Sequence, residues 1–393
     1  MPRFGRVLLV VLDSVGIGGA PDALAYGDQG ADTLGHIRAA VGLALPELAS
    51  LGLGRVTALD GPVPAPGAVR AAYGRMTERS AGKDTMTGHF ELAGVVTERA
   101  YPTYTHTGFP PDVIAAFNRV TGAAGVLGNV AASGTEILDR LGLEHARTGW
   151  PIVYTSGDSV FQVAAHEGVV PLATLHTWCA RARTEVLVGA HAVARVIARP
   201  FGGPGPGRYE RTKGRKDFAL PPPAPTVLDR LHGAGRTVVG VGKIGDIFSM
   251  RGIARNTKGK SNDECVDDLL AEMARPGADL IFVNLVDFDT LYGHRNDPAG
   301  YRDCLAAFDR RVPQILAAMR EDDLLILTAD HGNDPCYPGT DHTREQVPLL
   351  AYHRGRPTAD LGTRATFADV AATIAENFGV GPLPVGTSFL GAM

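Results

Sequence analysis

The fold is decided by residues 7–12, VLLVVL, a run of apolar residues that ends at Asp13. Two later runs have the same form, LIFVNLV at residues 280–286 and LLILT at residues 324–328, and acidic residues follow both. Near-continuous apolar runs of this length are typical of strands that are buried on both faces, as in a parallel sheet covered by helices. The sequence therefore predicts that these three segments are strands of one core sheet.

Helical patterns alternate with these runs, for example at Ser261–Ala274 and Gly300–Met319. Alternation of strand and helix predicts a doubly wound α/β core. In such a sheet the ligand site lies beyond the carboxyl ends of the strands. The polar residues that follow the three runs are therefore expected at one edge of the sheet.

The middle of the chain, from about residue 101 to residue 220, has a different pattern. Pro and Gly breaks separate a helix candidate at Pro111–Val120 from strand-like pieces such as Pro151–Val163. The Pro-rich segment PPPAP at residues 221–225 resembles a semi-rigid linker. The predicted organisation is a discontinuous core of residues 1–100 and 221–393 with an inserted α+β cap of residues 101–220.

The composition is that of a compact globular protein. Of the 393 residues, 45% are hydrophobic, and 38 basic against 42 acidic side chains give a net charge of −4. No global field therefore attracts nucleic acid or an acidic membrane, and no apolar run near the start approaches the about 20 residues of a spanning helix. The four cysteines are scattered without a CxxC pair, which fits a reducing compartment. We expect a cytoplasmic protein that acts on small molecules, with no nucleic-acid, membrane or protein partner indicated.

Oxygen and imidazole donors follow the three apolar runs. They are Asp13, Asp289 with His294, Asp330 with His331, and His342. Carboxylates and neutral imidazoles without thiolates suit divalent ions such as Mn²⁺, Mg²⁺ or Zn²⁺. Six such ligands would fit two metals about 3.5–4 Å apart, the arrangement that serves phosphoryl displacement. Taken singly, each residue also has a structural interpretation, as a helix cap or a satisfied core histidine. The convergence of three clusters on one sheet edge favours the metal site.

The polar loop SAGKDTMTGHFE at residues 80–91 opens a short helix. Backbone N–H groups at a helix start favour anionic ligands, and a hydroxyl there can act as a nucleophile once a metal lowers its pKa. Ser80, Thr85 and Thr87 are the candidates, and spacing does not choose among them. Spacing alone favours a capping role for such a hydroxyl over a catalytic one.

A nucleotide-binding interpretation rests on residues 240–245, GVGKIG, which match the GxGxxG pattern after a strand and precede Glu264 by about twenty residues. The motif lies far from the start of the chain, and Lys243 occupies one of its variable positions, where its charge is available for a phosphate. A lone match of this kind has a high false-positive rate.

The basic segment Arg195–Lys216 is most simply a solvated loop. Within a cap that faces a metal site, one or two of its arginines could instead hold a phosphate by paired hydrogen bonds. The segment on its own does not decide between these roles.

Four motifs occur in order along the chain: VLDSVGIG at residues 11–18, GKDTMTGH at 82–89, DFDTLYGHR at 287–295 and TADHGND at 328–334. With these motifs the chain resembles the phosphopentomutase family of the alkaline phosphatase superfamily, over nearly its whole length and including the cap. The resemblance implies an alkaline-phosphatase-like core. It also implies an isomerase that interconverts α-D-ribose 1-phosphate and D-ribose 5-phosphate, and the 2-deoxyribose pair.

The resemblance further implies residue roles. One metal, Mn²⁺ being usual in the family, is held by Asp13, Asp330 and His331, and the other by Asp289, His294 and His342. Thr85 is implied as the phosphorylated nucleophile. The residues implied to contact the sugar phosphate are Ser156, Asp158, Val160, Arg195, Arg211 and Lys243.

The implied cycle passes the phosphoryl group through phosphothreonine and a bisphosphate intermediate, primed by a sugar bisphosphate such as glucose 1,6-bisphosphate. A cap would exclude the water that otherwise turns a mutase into a phosphatase. The remaining alternatives are a phosphatase or phosphodiesterase with the same metal shell, and a metal-dependent phosphoglycerate mutase, in which a serine is expected in place of Thr85.

Overall fold

The computed structural model describes residues 2–157, 159–355 and 358–393. The chain divides into two compact units, residues 1–99 with 222–393 and residues 100–221. The strands are β1 (Arg6–Leu12), β2 (Ala72–Met76), β3 (Leu127–Ala131), β4 (Ile152–Thr155), β5 (Val160–His166), β6 (Arg195–Gly202), β7 (Glu210–Arg211), β8 (Lys216–Ala219), β9 (Val238–Val241), β10 (Arg255–Thr257), β11 (Leu280–Leu285), β12 (Asp323–Thr328), β13 (Val347–Tyr352) and β14 (Asp360–Arg364).

The α-helices lie between these strands along the chain, except for the last helix, which follows β14. They are α1 (Thr33–Val41), α2 (Pro46–Ser50), α3 (Leu53–Val56), α4 (Thr85–Leu92), α5 (Pro111–Thr121), α6 (Gly134–Thr148), α7 (Leu172–Arg181), α8 (Val227–Gly233), α9 (Ile244–Ile247), α10 (Asn262–Ala274), α11 (Pro298–Ala318) and α12 (Ala368–Phe378). Among the described residues, none of the helices combines the length and the apolar character needed to cross a bilayer.

The first unit is built on an eight-stranded sheet in the order β10-β9-β11-β1-β12-β13-β2-β14. The central strand β1 runs parallel to β11 on one side and to β12 on the other. Every residue of these three strands is buried. The prediction that the three apolar runs are buried strands of one core sheet, and with it the α/β fold class, is confirmed, and the structure adds that the three are direct neighbours.

The sheet is mixed, where the sequence pattern suggested parallel strands. Strand β13 is antiparallel to β12 and to β2. A parallel crossover needs a dozen or more residues that include a helix, as a rule. Residues 329–346, which join β12 to β13, form turns and extended segments without a helix. The chain therefore returns beside β12 in the opposite direction, and this connection carries much of the candidate site.

The predicted helices next to the core strands are present with small shifts at their ends. Helix α10 begins after Ser261, whose side chain accepts a hydrogen bond from the backbone N–H of Glu264. Helix α11 begins at Pro298, earlier than predicted, because Asp297 caps it and proline is well suited to the first helical position.

The second unit contains the sheet β3-β4-β5-β6-β7, with β8 paired to β6. Alternate residues of β5 face opposite sides. Phe161 packs with Phe109 and Phe117 on one side, at ring-centre distances of 4.7 and 5.0 Å, and Ala164 packs with Phe201 on the other. The predicted helix at residues 111–120 is α5, and the predicted strand-like piece at 151–163 is two strands, β4 and β5.

Candidate metal centre and nucleophile

The candidate site lies at the carboxyl ends of β11, β1 and β12. Asp13 follows β1, Asp289 lies four residues after β11 and Asp330 lies two residues after β12. All three carboxylates are buried. Since β1 lies between β11 and β12, the strand order itself brings the three acidic residues together.

One group of donor atoms comprises Asp289, His294 and His342. Nε2 of His294 is 3.2 Å from one carboxylate oxygen of Asp289, and Nε2 of His342 is 3.4 Å from the other. The two Nε2 atoms are 3.2 Å apart. A π-helical turn at Phe288–Tyr292 and a 3₁₀ turn at Gly293–Arg295 fold His294 back toward Asp289.

The second group surrounds His331. Its Nε2 lies 3.4 Å from Oδ1 of Asp13 and 3.4 Å from Oδ2 of Asp330. Asp289 approaches this group as well, because ligand atoms of Asp13, Asp289 and His331 lie within 4.8 Å of one another. The rings of His331 and His342 are 4.0 Å apart. The structure thus brings all six predicted ligands into one continuous cluster, with Asp289 between the two groups.

Backbone carbonyl groups orient two of the imidazoles. Nδ1 of His294 bonds to the carbonyl oxygen of Thr340 at 2.7 Å, and Nδ1 of His331 bonds to that of Gly332 at 3.0 Å. A proton on Nδ1 leaves the Nε2 lone pair directed at the carboxylates, which is the arrangement that metal-binding histidines use.

Two buried carboxylate oxygens of the cluster are satisfied poorly or not at all by the described residues. Oδ1 of Asp13 has no hydrogen-bond partner there, and Oδ2 of Asp330 faces imidazole nitrogens, Nδ1 of His89 at 3.0 Å and Nε2 of His331 at 3.4 Å. Oδ1 of Asp330 accepts a hydrogen bond from the backbone N–H of Ser14, which has a left-handed conformation with φ 71°. A buried charged oxygen without a partner is costly. These two oxygens and the imidazole nitrogens form a donor set that fits divalent cations.

Electrostatics in the cluster point the same way. Burial and the neighbouring carboxylates of Asp330 and Asp289 raise the pKa of Asp13. Burial also opposes the charge of Asp289, but the imidazoles of His342 and His294 outweigh it and hold the pKa of Asp289 well below its usual value. Three carboxylates at such close range favour a bound cation that neutralises them.

Residue spacing did not distinguish the hydroxyl groups of Ser80, Thr85 and Thr87 as candidate nucleophiles. In the structure they differ in their hydrogen-bond partners. Asp84 caps α4 and accepts hydrogen bonds from the backbone of Met86 and from both the backbone and the hydroxyl of Thr87. The Ser80 hydroxyl accepts from the backbone of Thr97. The hydroxyl of Thr85 instead lies 3.2 Å from Nε2 of His331.

Two further residues, His89 and Asn284, contact the cluster and were not predicted from the sequence. Nδ1 of His89, one turn after Thr85, bonds to the Thr85 carbonyl oxygen at 2.8 Å, and Nε2 is 3.2 Å from the amide nitrogen of Asn284. That amide donates to Oδ2 of Asp13 at 2.9 Å. Asn284 stands as the polar residue inside the apolar run LIFVNLV, which was a usable signal.

The glycines of residues 240–245 are accounted for by packing. Gly242 has a φ of 73°, and a Cβ there would lie 2.5 Å from the carbonyl oxygen of Asn284. A Cβ on Gly240 would lie 2.2 Å from Asn256. The following helix, α9, has only four residues. The glycines of this motif therefore allow β9 to pack closely against its neighbours. The charge of Lys243 partly offsets the rise in the pKa of Asp13.

The predicted sugar-phosphate residues of the second unit do not form one tight group. Val160 and Arg195 are register partners at the start of β5 and β6. Arg211 pairs with Phe201 near the other end of β6, and the space left by Gly134 admits its guanidinium. Ser156 lies in the turn after β4. Asp158 lies outside the described residues.

Arg199 is a further cation on this sheet. Its Nε donates to Gln162 at 3.0 Å. Burial, together with the charges of Arg215 and Arg211, lowers the pKa of Arg199 to about 10. Mutually repelling guanidinium groups favour a bound anion. The sequence pattern alone does not distinguish Arg199 from the other basic residues of the segment 195–216.

Comparison with known proteins identifies the family. The model of the Metalloenzyme superfamily matches residues 5–382. Phosphopentomutase from Anaeromyxobacter sp. (strain K) is 58% identical over 386 residues, which cover 98% of each chain. Phosphopentomutase from Caldanaerobacter subterraneus subsp. tengcongensis is 54% identical and covers 98% of this chain and 97% of that one.

Among solved structures, the PH0037 protein from Pyrococcus horikoshii superposes with a TM-score of 0.51 at 14% identity, over 98% of this chain and all of that one, and so shares its fold. The resemblance noted in the sequence is thereby confirmed, and the chain belongs to the phosphopentomutase family of isomerases.

Proposed function

We propose that the protein interconverts α-D-ribose 1-phosphate and D-ribose 5-phosphate, and accepts the 2-deoxyribose pair, by carrying the phosphoryl group on Thr85. The observation that carries this proposal is the 3.2 Å approach of the Thr85 hydroxyl to His331 within the six-residue cluster. We further propose that it acts in the cytoplasm on these small molecules, which the free state of all four cysteines fits.

Two divalent cations, Mn²⁺ in our proposal, would be held by the cluster. Asp13, Asp330 and His331 would bind one, and Asp289, His294 and His342 the other. The buried oxygens Oδ1 of Asp13 and Oδ2 of Asp330, each 3.4 Å from Nε2 of His331, support the first set, and the converging Nε2 atoms of His294 and His342 support the second. When bound, such ions neutralise the transferring phosphoryl group and lower the pKa of the attacking alcohol.

Phosphorylated Thr85 would donate its phosphoryl group to the C1 hydroxyl of ribose 5-phosphate. The bond between phosphorus and the Thr85 oxygen breaks, a bond to the C1 oxygen forms, and the proton of the C1 hydroxyl passes to the Thr85 oxygen. In the second half, the Thr85 oxygen takes the phosphoryl group from the C5 oxygen, and the Thr85 proton passes to the C5 oxygen, which leaves as the C5 hydroxyl. A sugar bisphosphate such as glucose 1,6-bisphosphate would prime unphosphorylated Thr85.

The hydrogen bonds around Thr85 support its proposed role in both half-reactions. Asp84 caps α4 and engages the hydroxyl of Thr87, and His89 holds the carbonyl group of Thr85. A nucleophile held in one orientation avoids the entropic cost of alignment in the transition state. The phosphate of the sugar that does not react would be bound by Arg195 and Arg211, together with Ser156, Asp158, Val160 and Lys243.

The test is turnover of ribose 5-phosphate with Mn²⁺ and a catalytic amount of glucose 1,6-bisphosphate, following ribose 1-phosphate and free phosphate together. We expect isomer without free phosphate for the native chain, and no product for Thr85→Ala or after chelation. Free phosphate without isomer would instead identify a hydrolase with the same metal shell. An active Thr85→Ala variant would remove Thr85 from the nucleophile role.

A further inference from the structure

We propose that Arg344 is the positioning residue that holds the nucleophile loop, residues 78–84, against the connection that carries His331 and His342. The inference rests on the proposed function, because it assigns the residue that places Thr85 for phosphoryl transfer. Arg344 itself contacts neither the six candidate ligands nor the Thr85 hydroxyl among its hydrogen bonds.

Arg344 lies two residues after His342, and its side chain is 2% exposed. Its backbone N–H donates to Asp28 at 2.8 Å. The face of the guanidinium covers the ring of Tyr26, with 4.6 Å to the ring centre. The next residue, Glu345, accepts hydrogen bonds from the backbone and the hydroxyl of Thr33. This part of the connection is therefore also anchored to residues outside the nucleophile loop.

The guanidinium gathers three carbonyl groups of the nucleophile loop. Nη1 donates to the carbonyl oxygens of Ser80 at 2.9 Å and Gly82 at 2.5 Å, and Nη2 donates to that of Glu78 at 2.8 Å. Three carbonyl groups turned toward one buried point require several donors in a fixed fork. Arginine supplies five N–H donors in a plane, whereas lysine supplies three on one atom.

Two carboxylates complete the arrangement. Asp22 accepts from Nε and Nη2 at 3.1 and 2.9 Å, and Glu78 accepts from Nη1 at 2.6 Å. These bidentate and charge-assisted bonds fix the plane of the guanidinium. The loop is fastened a second time by Lys83, whose ammonium group bonds to both oxygens of Asp28. Since Asp28 also receives the backbone N–H of Arg344, both fastenings meet at one place.

The loop leads directly into the nucleophile. Asp84 ends it and caps α4, and Thr85 is the first residue of that helix. A loop released from Arg344 would let Thr85 drift from His331. A misplacement of about 1 Å can cost on the order of 100-fold in rate. We therefore expect Arg344→Lys to lower kcat by about 10- to 100-fold, with KM and Mn²⁺ affinity within about 3-fold.

Arg6 offers a matched control. It is as deeply buried, with an exposed side-chain fraction of 2%, and its guanidinium bonds to Asp323 and to the carbonyl oxygen of Met273. It lies at the start of β1, the end of the strand opposite to Asp13. Arg6→Lys should lower the free energy of unfolding and leave kcat within about 2-fold.

The experiment measures five quantities for the native chain, Arg344→Lys and Arg6→Lys. They are kcat and KM for isomerisation, phosphothreonine formed from glucose 1,6-bisphosphate by intact mass, Mn²⁺ affinity by titration, and the unfolding midpoint. We expect slowed phosphothreonine formation and low kcat in Arg344→Lys alone. Native kcat in that variant, or an equal loss in Arg6→Lys, would overturn the inference.

Two further outcomes are also decisive. If Arg344→Lys does not fold, Asp22→Asn takes its place, because Asp22 is 46% exposed and its change leaves Arg344 present. A kcat lowered by about 3- to 10-fold supports the inference, and an unchanged kcat overturns it. A native chain that forms neither isomer nor phosphothreonine refutes the proposed function, and the role of Arg344 falls with it.

Discussion

The hydroxyl oxygen of Thr85 lies 3.2 Å from Nε2 of His331, although the two residues are 246 positions apart in the chain. Helix α4 must approach the end of β12 closely for this contact. Gly88 permits the approach, because a Cβ at that position would lie 2.1 Å from the carbonyl oxygen of Asp330. The close contact between α4 and the residues after β12 therefore depends on the absence of a side chain at position 88.

Gly88→Ala should accordingly separate Thr85 from His331. Alanine favours a helix over glycine by about 1 kcal/mol, but here the methyl group cannot be placed without moving α4. We expect kcat to fall by about 100-fold. Steady-state kinetics would measure this. The control is Gly233→Ala in α8, where a Cβ meets nothing within 4 Å. Equal kcat in both variants would show that α4 tolerates the methyl group.

Asn284 should tune metal binding without touching the metal. Its amide donates to Oδ2 of Asp13, and loss of such an outer contact typically weakens metal binding by about 10- to 100-fold. We expect Asn284→Ala to show this loss in a Mn²⁺ titration. Asn377→Ala is the control, because Asn377 is equally buried but bridges the backbone of Phe4. A native Mn²⁺ affinity in Asn284→Ala would count against the assignment of Asp13 as a ligand.

The strands that carry the acidic residues could be predicted because they are buried on both faces, and such strands read as continuous apolar runs. Strand β2, AYGRM, is buried as well but lacks that pattern, because it lies between β13 and β14 near the edge of the sheet. The antiparallel direction of β13 follows from the connection before it, which has no helix. The residues of β13 themselves do not indicate this direction.

The candidate metal ligands could also be predicted from the sequence, because Asp and His residues that directly follow apolar runs are easy to recognise. Spacing did not favour Thr85 over Thr87 as the candidate nucleophile, because the difference lies in which hydroxyl donates a hydrogen bond to Asp84. The proposed role of Arg344 could not be predicted from the sequence for a related reason. Half of the hydrogen bonds of its guanidinium go to backbone carbonyl groups, and a sequence does not show where carbonyl groups point.

The cap arginines should act on both substrates. If Arg195 and Arg211 hold the phosphate that does not react, the alanine variant of either should raise KM for ribose 1-phosphate and for ribose 5-phosphate. A charge-assisted hydrogen bond of about 1.5–3 kcal/mol corresponds to about 10- to 100-fold. Arg147→Ala, an exposed arginine on α6 paired with Glu144, should change neither constant. Unchanged activity in both site variants would place the phosphate site elsewhere.

The buried pair of Arg6 and Asp323 should reveal itself in stability. The two are register partners at the start of β1 and β12 and share two hydrogen bonds. Arg6→Met strands a buried carboxylate and should lower the free energy of unfolding by about 3–5 kcal/mol, whereas the double variant with Asp323→Leu should recover most of it. Urea unfolding of the two single variants and the double variant measures the coupling. Additive losses would mean that the pair is not coupled.

Glu345 should give the unfolding free energy a distinct pH dependence. Burial raises its pKa to about 7, against hydrogen bonds from Thr33, Thr343 and Gly18 that favour the charged form. The folded chain therefore holds this proton between the ordinary value of 4.5 and about 7, where the unfolded chain has lost it. The stabilisation is complete below pH 4.5 and is lost as the pH rises through 7, by roughly 3 kcal/mol in all.

The measurement is urea unfolding of the native chain and of Glu345→Gln at intervals from about pH 4.5 to 8. The glutamine does not titrate, and its amide oxygen can accept from the N–H groups of Gly18 and Thr33 that now bond to one carboxylate oxygen. Titrations common to both proteins cancel in their difference. That difference should shrink by roughly 3 kcal/mol as the pH rises through 7. A constant difference would mean that the hydrogen bonds, and not burial, set the pKa of Glu345, and that its carboxylate is charged throughout.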